Sequence, residues 1–224
     1  KIFLWRIFSI EGKIIREINE DFIKFVSNKK PNIVILYHAI LIKPETVKYL
    51  KLKYPQIKIV QYTPDNPFSQ HNKMYWKHFL NNIQYVDYTT PHRISNINDI
   101  IYHGGKIKNE FIMLPYFVPE SEYPISSESI PSKYLCDVVF AGHFENDIRI
   151  NCLEKLVDMG LKVNLFGGGW DKASSLIDKD SPLHTLLPTK PAIGIDYNYA
   201  LSGAKICLCF FSKINNDSYT TRVF

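Results

Sequence analysis

Apolar and polar positions alternate along this chain in two rhythms. Between Ile14 and Val26 the apolar residues Ile14, Ile15, Ile18, Phe22, Ile23, Phe25 and Val26 fall near helical spacing with charged residues between them, which predicts an amphipathic helix packed on a sheet. Lys29-Lys30-Pro31-Asn32 breaks that pattern, and Ile33-Val34-Ile35-Leu36-Tyr37 follows as a continuous apolar run, predicting a strand buried on both faces. Pro44 to Leu52 reads as a short helix with proline in its first turn, and Ile57 to Tyr62 as the next strand. Further along come a helix over 75–82, a strand over 85–90, a helix over 95–103 closed by Gly104-Gly105, and a strand over 111–114.

Pro115 to Pro131 is rich in Pro, Ser and Glu and has little periodicity, so it is the expected linker. The alternation then resumes: strand 136–141, helix 147–159 ending at Gly160, strand 161–166, a helical patch at 171–178, a helix at 194–202 and a strand at 204–210. Helices alternating with buried strands imply parallel βαβ units. The expected fold class is therefore α/β, with two Rossmann-like domains at 1–118 and 133–224 joined by a linker at 119–132.

At 224 residues, 46% of them hydrophobic, the chain has ample material for buried cores. No run approaches the roughly 18–20 uninterrupted apolar residues that cross a bilayer, and Lys1 to Arg6 lacks the features of a secretion signal. A cytoplasmic protein is expected, with peripheral contact at the inner membrane face left open. Cys136, Cys152, Cys207 and Cys209 form no Cys-x-x-Cys pair, and Cys207 and Cys209 share one strand face. They read as reduced thiols in the core, and no metal site is expected. The net charge of +5 suits an anionic small ligand, an anionic lipid surface or nucleic acid. The 14 Tyr and 14 Phe lie largely in apolar periodic segments, which makes nucleic acid the weaker of these partners.

Candidate chemistry lies where strands end, because ligands of open α/β sheets bind outside the carboxyl ends of the strands. In the first half His38 follows the strand at 33–37, and Asp65-Asn66-Pro67 follows the strand at 57–62. Asp65 is the first choice for a carboxylate that orients or deprotonates a hydroxyl, against the simpler role of capping a turn. In the second half Gly142-His143 follows the strand at 136–141, and Arg149 opens the next helix. Gly167-Gly168-Gly169-Trp170 follows the strand at 161–166. Here the alternatives are a tight turn, or backbone approach to a nucleotide with Trp170 as a wall of the site. Asn215, Asp217 and Thr220 supply short polar groups beside an expected helix start, and Arg222 lies in the same segment.

Taken in order, Val138-Val139-Phe140-Ala141-Gly142, Arg149-Ile150, the Gly-Gly-Gly-Trp turn, Leu201-Ser202-Gly203-Ala204-Lys205-Ile206 and Asn215-x-Asp217-x-x-Thr220-x-Arg222-x-Phe224 resemble the donor domain of CgeB-like glycosyltransferases, a branch of the group 1, GT-B type sugar transferases. The resemblance is firmest from Lys133 to Phe224. It implies two Rossmann-like domains facing across a cleft, the second incomplete, with the polypeptide continuing past Phe224. It also implies transfer of a sugar from a nucleotide-diphosphate donor to a glycan, lipid-linked or protein acceptor, with retention of configuration and without a metal or other cofactor. Gly142, His143, Arg149, Gly167, Gly168, Trp170, Asn215, Asp217, Thr220 and Arg222 would bind the donor, and Asp65, His38 and Arg222 would act in catalysis. Arg149 and Arg222 would neutralise the departing diphosphate, with a plain surface arginine as the competing role for Arg149. A nucleotide-sugar epimerase on the same scaffold and a non-catalytic nucleic-acid or protein-binding module are the alternatives.

Overall fold

A computed structural model describes residues 12–69, 73–107, 120–218 and 220. The expected strand at 111–114, His71, Arg222 and Phe224 lie outside them. The chain is mixed α/β and divides into two compact units, residues 1–115 with 213–218, and residues 116–212 with 219–224. No helix among the described residues is long and apolar enough to cross a membrane.

The first unit contains α1 (Lys13–Lys29), β1 (Ile33–Tyr37), α2 (Pro44–Lys53), β2 (Lys58–Tyr62), α3 (Lys77–Asn82), β3 (Tyr88–Thr90) and α4 (Ile97–Tyr102). Its three strands are all parallel, in the order β1-β2-β3. Helix α1 ends at Lys30, whose left-handed backbone (φ 44°) directs its N–H to the Val26 carbonyl, and Pro31 prevents continuation. One side of β1 carries Val34 and Leu36 into a core with Val26, Val47, Leu50, Ile57 and Ile59. The other side is open: Ile33, Ile35 and Tyr37 are 60%, 65% and 62% exposed. The strand is therefore not buried on both faces, as its apolar run had implied. Its alternate residues share one core face and leave the other exposed, which an unbroken apolar run cannot reveal.

Two polar side chains hold this unit together. Asn19 sits in the buried stripe of α1, where its amide donates to the Ile15 and Leu41 carbonyls and its oxygen accepts from Lys43 N–H and Thr46 Oγ1. Every lone pair and proton that matters is used, so the polar residue fixes how α1 meets the approach to α2 at little desolvation cost. Asp87, just before β3, accepts from Ile59 N–H at 2.8 Å and Lys51 Nζ at 2.7 Å, with Lys58 Nζ 3.5 Å away. Burial acts to raise its pKa, but the Ile59 N–H and the two ammonium groups together outweigh that and leave the carboxyl below its ordinary value. A depressed folded-state pKa means stability that is present above the unfolded value of about 3.9 and lost as pH falls through the folded value. Asp87→Asn is accordingly expected to destabilise by about 1–3 kcal/mol at neutral pH. Urea titrations of both proteins should show the difference shrinking below about pH 4, and a pH-independent difference would contradict this account.

The second unit holds β4 (Cys136–Ala141), α5 (Arg149–Asp158), β5 (Val163–Phe166), α6 (Ile195–Ser202) and β6 (Ala204–Cys207), with 3₁₀ turns at Trp170–Ser175 and Pro182–Leu186. Its parallel sheet runs β5-β4-β6, so the first strand in sequence is central and the third lies on the side opposite the second. Val138, Phe140, Leu153, Val163, Leu165, Trp170 and Leu183 form one core. Ile130, Tyr134, Cys136, Val139 and Ala200 form another. The presumed linker is thus largely ordered into this unit: Asn198 donates to the Tyr123 carbonyl and Ser202 Oγ accepts from Ile125 N–H. Strand β6 is shorter than its apolar run, lies at an edge among the described residues, and leaves Lys205 and Ile206 exposed. Cys207 is consequently exposed, against the expectation that it packs in the core, while Cys136 is buried.

Candidate functional site

In the first unit, the carboxyl ends of β1, β2 and β3 gather a polar cluster. His38 is the residue after β1, and the turn forces it to φ 49°, a left-handed conformation uncommon for a side chain of this kind. Its N–H donates to the Tyr62 carbonyl at 2.8 Å, which holds the strained turn against β2. The ring lies edge-on to Trp76 with centroids 5.0 Å apart. Its Nδ1 is 3.0 Å from Thr63 Oγ1 and its Nε2 is 3.0 Å from Tyr75 Oη. Asp65 Oδ2 stands 3.7 Å from the same Nδ1, and its side chain is half exposed. His38 and Asp65, singled out separately from the sequence, are therefore neighbours. A carboxylate beside an oriented imidazole at a strand end can hold a hydroxyl and accept its proton.

The Asp65-Asn66-Pro67 turn closes with Asn66 Oδ1 accepting from Phe68 N–H at 3.1 Å, an Asx turn. Asn96 Nδ2 donates to the same oxygen at 3.1 Å. A narrow crevice beside it is lined by Thr63, Asp65, Phe68, Thr90, His92 and Asn96. Burial, and secondarily the Arg93 charge, lower the pKa of His92 against the opposing pull of Asp217 and Asp65, so its imidazole is neutral at pH 7. Tyr62 Oη lies 2.8 Å from its Nδ1.

Asn215 and Asp217 belong to this first unit and not to the second, where the sequence had placed them. Asn215 Oδ1 accepts from Asn66 N–H at 3.2 Å. Asp217 Oδ1 accepts from Arg93, with Nε at 2.7 Å and Nη2 in close contact. The Arg93 side chain is 4% exposed and its Nη1 is buried without a hydrogen-bond partner. Arg93, Tyr75, Thr63 and Asn96 were not read from the sequence as site residues. The strand-end rule that picked out His38 and Asp65 applies equally to Thr90-Pro91-His92-Arg93.

In the second unit, Gly142 N–H donates to the Phe166 carbonyl at 2.9 Å and Phe144 N–H to the Gly168 carbonyl at 3.0 Å, lacing the loops after β4 and β5 together. Gly167 has φ 137°, and a Cβ there would stand 2.0 Å from the Gly142 oxygen, so this position requires glycine. Trp170 is 1% exposed, and its indole N–H donates to the Gly142 carbonyl at 3.0 Å. It is a core residue under the turn and not a wall of a site. His143 is exposed, with its ring against Gly168. Thr220 is half-buried.

Arg149 is not a surface residue either. Its side chain is 4% exposed and lies 3.3 Å from Glu145 Oε1 and 3.4 Å from Asp147 Oδ1. Nη1 donates to the His143 carbonyl at 3.0 Å and Nη2 reaches the Phe211 carbonyl at 3.5 Å, with the Phe140 and Phe210 rings about 6 Å from Cζ. The guanidinium thus ties the loop after β4 to the segment after β6. Two carboxylates and two carbonyls already surround its charge, which leaves it a positioning role at the carboxyl end of β4. Among the described residues no group of three or more His, Cys, Asp or Glu could hold a metal ion. Compared with known proteins, the chain matches no family model and no curated protein.

Proposed function

We propose that this chain is a glycosyltransferase that uses a nucleotide-diphosphate sugar, with two Rossmann-like domains of the GT-B type. The observation that carries this reading is the strand order β5-β4-β6. In an open parallel sheet, the place where successive connections leave in opposite directions is where a nucleotide binds. Here that place is the carboxyl end of β4 beside β6, where Gly142 and His143 lie. The order of motifs that follows, ending in Asn215-x-Asp217-x-x-Thr220-x-Arg222, supports the same reading.

On this reading the N–H groups of the first turn of α5 beyond Arg149, whose own N–H donates to Asp147 Oδ1 at 3.0 Å, receive phosphate oxygens, together with Arg222. Arg149 shapes the loop that presents them. Gly168 and His143 form the surface that the donor approaches. In the first unit Asp65, held beside His38, orients the acceptor hydroxyl and takes up its proton. Transfer then breaks the anomeric carbon–phosphate oxygen bond and forms the new glycosidic bond on the same face of the sugar, with the nucleoside diphosphate leaving. Retention of configuration and metal independence are part of the proposal, and the acceptor class is a glycan, a lipid-linked sugar or a protein.

The test is a thermal-shift panel of UDP, GDP, ADP, CMP and their sugars. A nucleotide at 100 times its dissociation constant adds about 2.7 kcal/mol to the native state, a rise of several degrees in midpoint. No shift with any member would overturn the reading. If a donor binds and is interconverted in acceptor-free buffer, the enzyme is an epimerase instead.

A further inference from the structure

The segment Lys213–Ser218 lies on the strand ends of the first unit and presents two oxygens to two donors there. Asn215 Oδ1 takes the Asn66 N–H, and Asp217 Oδ1 takes Nε and Nη2 of Arg93. The two donors are neighbours in the fold. Asn96 N–H bonds to the Arg93 carbonyl at 3.0 Å, and Asn96 Nδ2 bonds to Asn66 Oδ1 at 3.1 Å. A backbone N–H and a guanidinium meeting two oxygens at the carboxyl end of a parallel sheet is the pattern by which a protein holds an oxyanion. The match is incomplete, because a single carboxylate oxygen accepts two of the guanidinium bonds while buried Nη1 finds no acceptor. An anion with more oxygens would satisfy it.

We infer that Arg93 and the Asn66 N–H form a binding site for a phosphate-bearing ligand, and that the 213–218 segment is a strap whose Asn215 and Asp217 oxygens occupy that site until the ligand displaces them. A planar guanidinium suits tetrahedral phosphate, since its fork spans two oxygens at once. The half-exposed carboxylate of Asp65 borders the site and opposes any anion there, the Asp217 carboxylate of the strap included. This inference is independent of the transferase reading, because it concerns the first unit alone and needs no sugar donor.

The experiment measures pyrophosphate binding by titration calorimetry on four forms of the chain. Asp217→Asn removes the competing charge but keeps a side chain of the same shape. It is expected to bind pyrophosphate about ten-fold more tightly than the wild type, the size of a charge-assisted contact regained. Asp21→Asn changes the net charge equally at an exposed position on α1 and is expected to show no gain. Adding Arg93→Gln to Asp217→Asn is expected to abolish the gain, with Arg93→Lys in its place if the glutamine form does not fold by circular dichroism. Orthophosphate and UDP arms tell a phosphomonoester from a diphosphate ligand, and tighter binding of either supports the site. A gain in Asp217→Asn no larger than that in Asp21→Asn, or one that survives loss of the Arg93 guanidinium, would overturn it.

Discussion

Trp170→Ala is expected to cost the second unit about 3–5 kcal/mol. The indole is 1% exposed. It meets Phe140 and Phe144 edge-on, with centroids 6.1 and 5.3 Å apart. Removing it opens a cavity that the rigid sheet beneath cannot close, and it strips the Gly142 carbonyl of its indole donor. Because Gly167 lies directly over the same carbonyl, the two loops that meet there lose their common support. Trp170→Phe separates the two contributions. It retains much of the packing but not the hydrogen bond, and its loss is expected at about 1–3 kcal/mol. Urea unfolding followed by circular dichroism measures both, and a loss under about 1 kcal/mol for the alanine form would show that the core had relaxed around the hole.

Arg149→Met is expected to destabilise by a similar about 3–5 kcal/mol for an electrostatic reason. Methionine keeps an unbranched apolar stem beside the Phe140 and Phe210 rings, which pack edge-on against each other, so little packing is lost. What remains is Asp147, with a side chain 5% exposed, and Glu145, 20% exposed, each without its cation. The penalty belongs to the stranded carboxylates more than to the lost attraction, so Asp147→Asn in the Arg149→Met background should recover stability. In the native background Asp147→Asn should instead lose it. A double-mutant cycle with no coupling would show that Arg149 and Asp147 act independently.

The helices and strands were largely legible because their periodicities are strong and their punctuation is clear. Pro31 and Asn32 end α1, Gly160 ends α5, and the parallel arrangement follows from the alternation. What the sequence could not convey was position within the sheet. Ile33-Val34-Ile35-Leu36-Tyr37 reads as fully buried, yet only one face of β1 is packed, and in β6 the consecutive residues Lys205, Ile206 and Cys207 are all exposed. The strand-end rule found His38 and Asp65 because His38 directly follows β1 and Asp65 lies in the turn just past β2. It did not reveal that they stand 3.7 Å apart, or that Tyr75 and Thr63 hold the imidazole. Charge identity misled in a different way. Arg149 was legible as a cation near a helix start, but its two carboxylate neighbours at four and two residues' distance define what that cation does. The pairing of Arg93 with Asp217, 124 residues apart, has no local signal at all.

That last pairing bears on how the molecule can be divided. The polypeptide leaves the first unit, builds the second, and returns to the first with six residues. A fragment cut before the second unit would keep Arg93 while lacking the aspartate that neutralises it, and would present a naked guanidinium at its sheet terminus. The first unit is therefore discontinuous in the gene, and a faithful isolated version needs the returning hexapeptide grafted on through a short artificial connector.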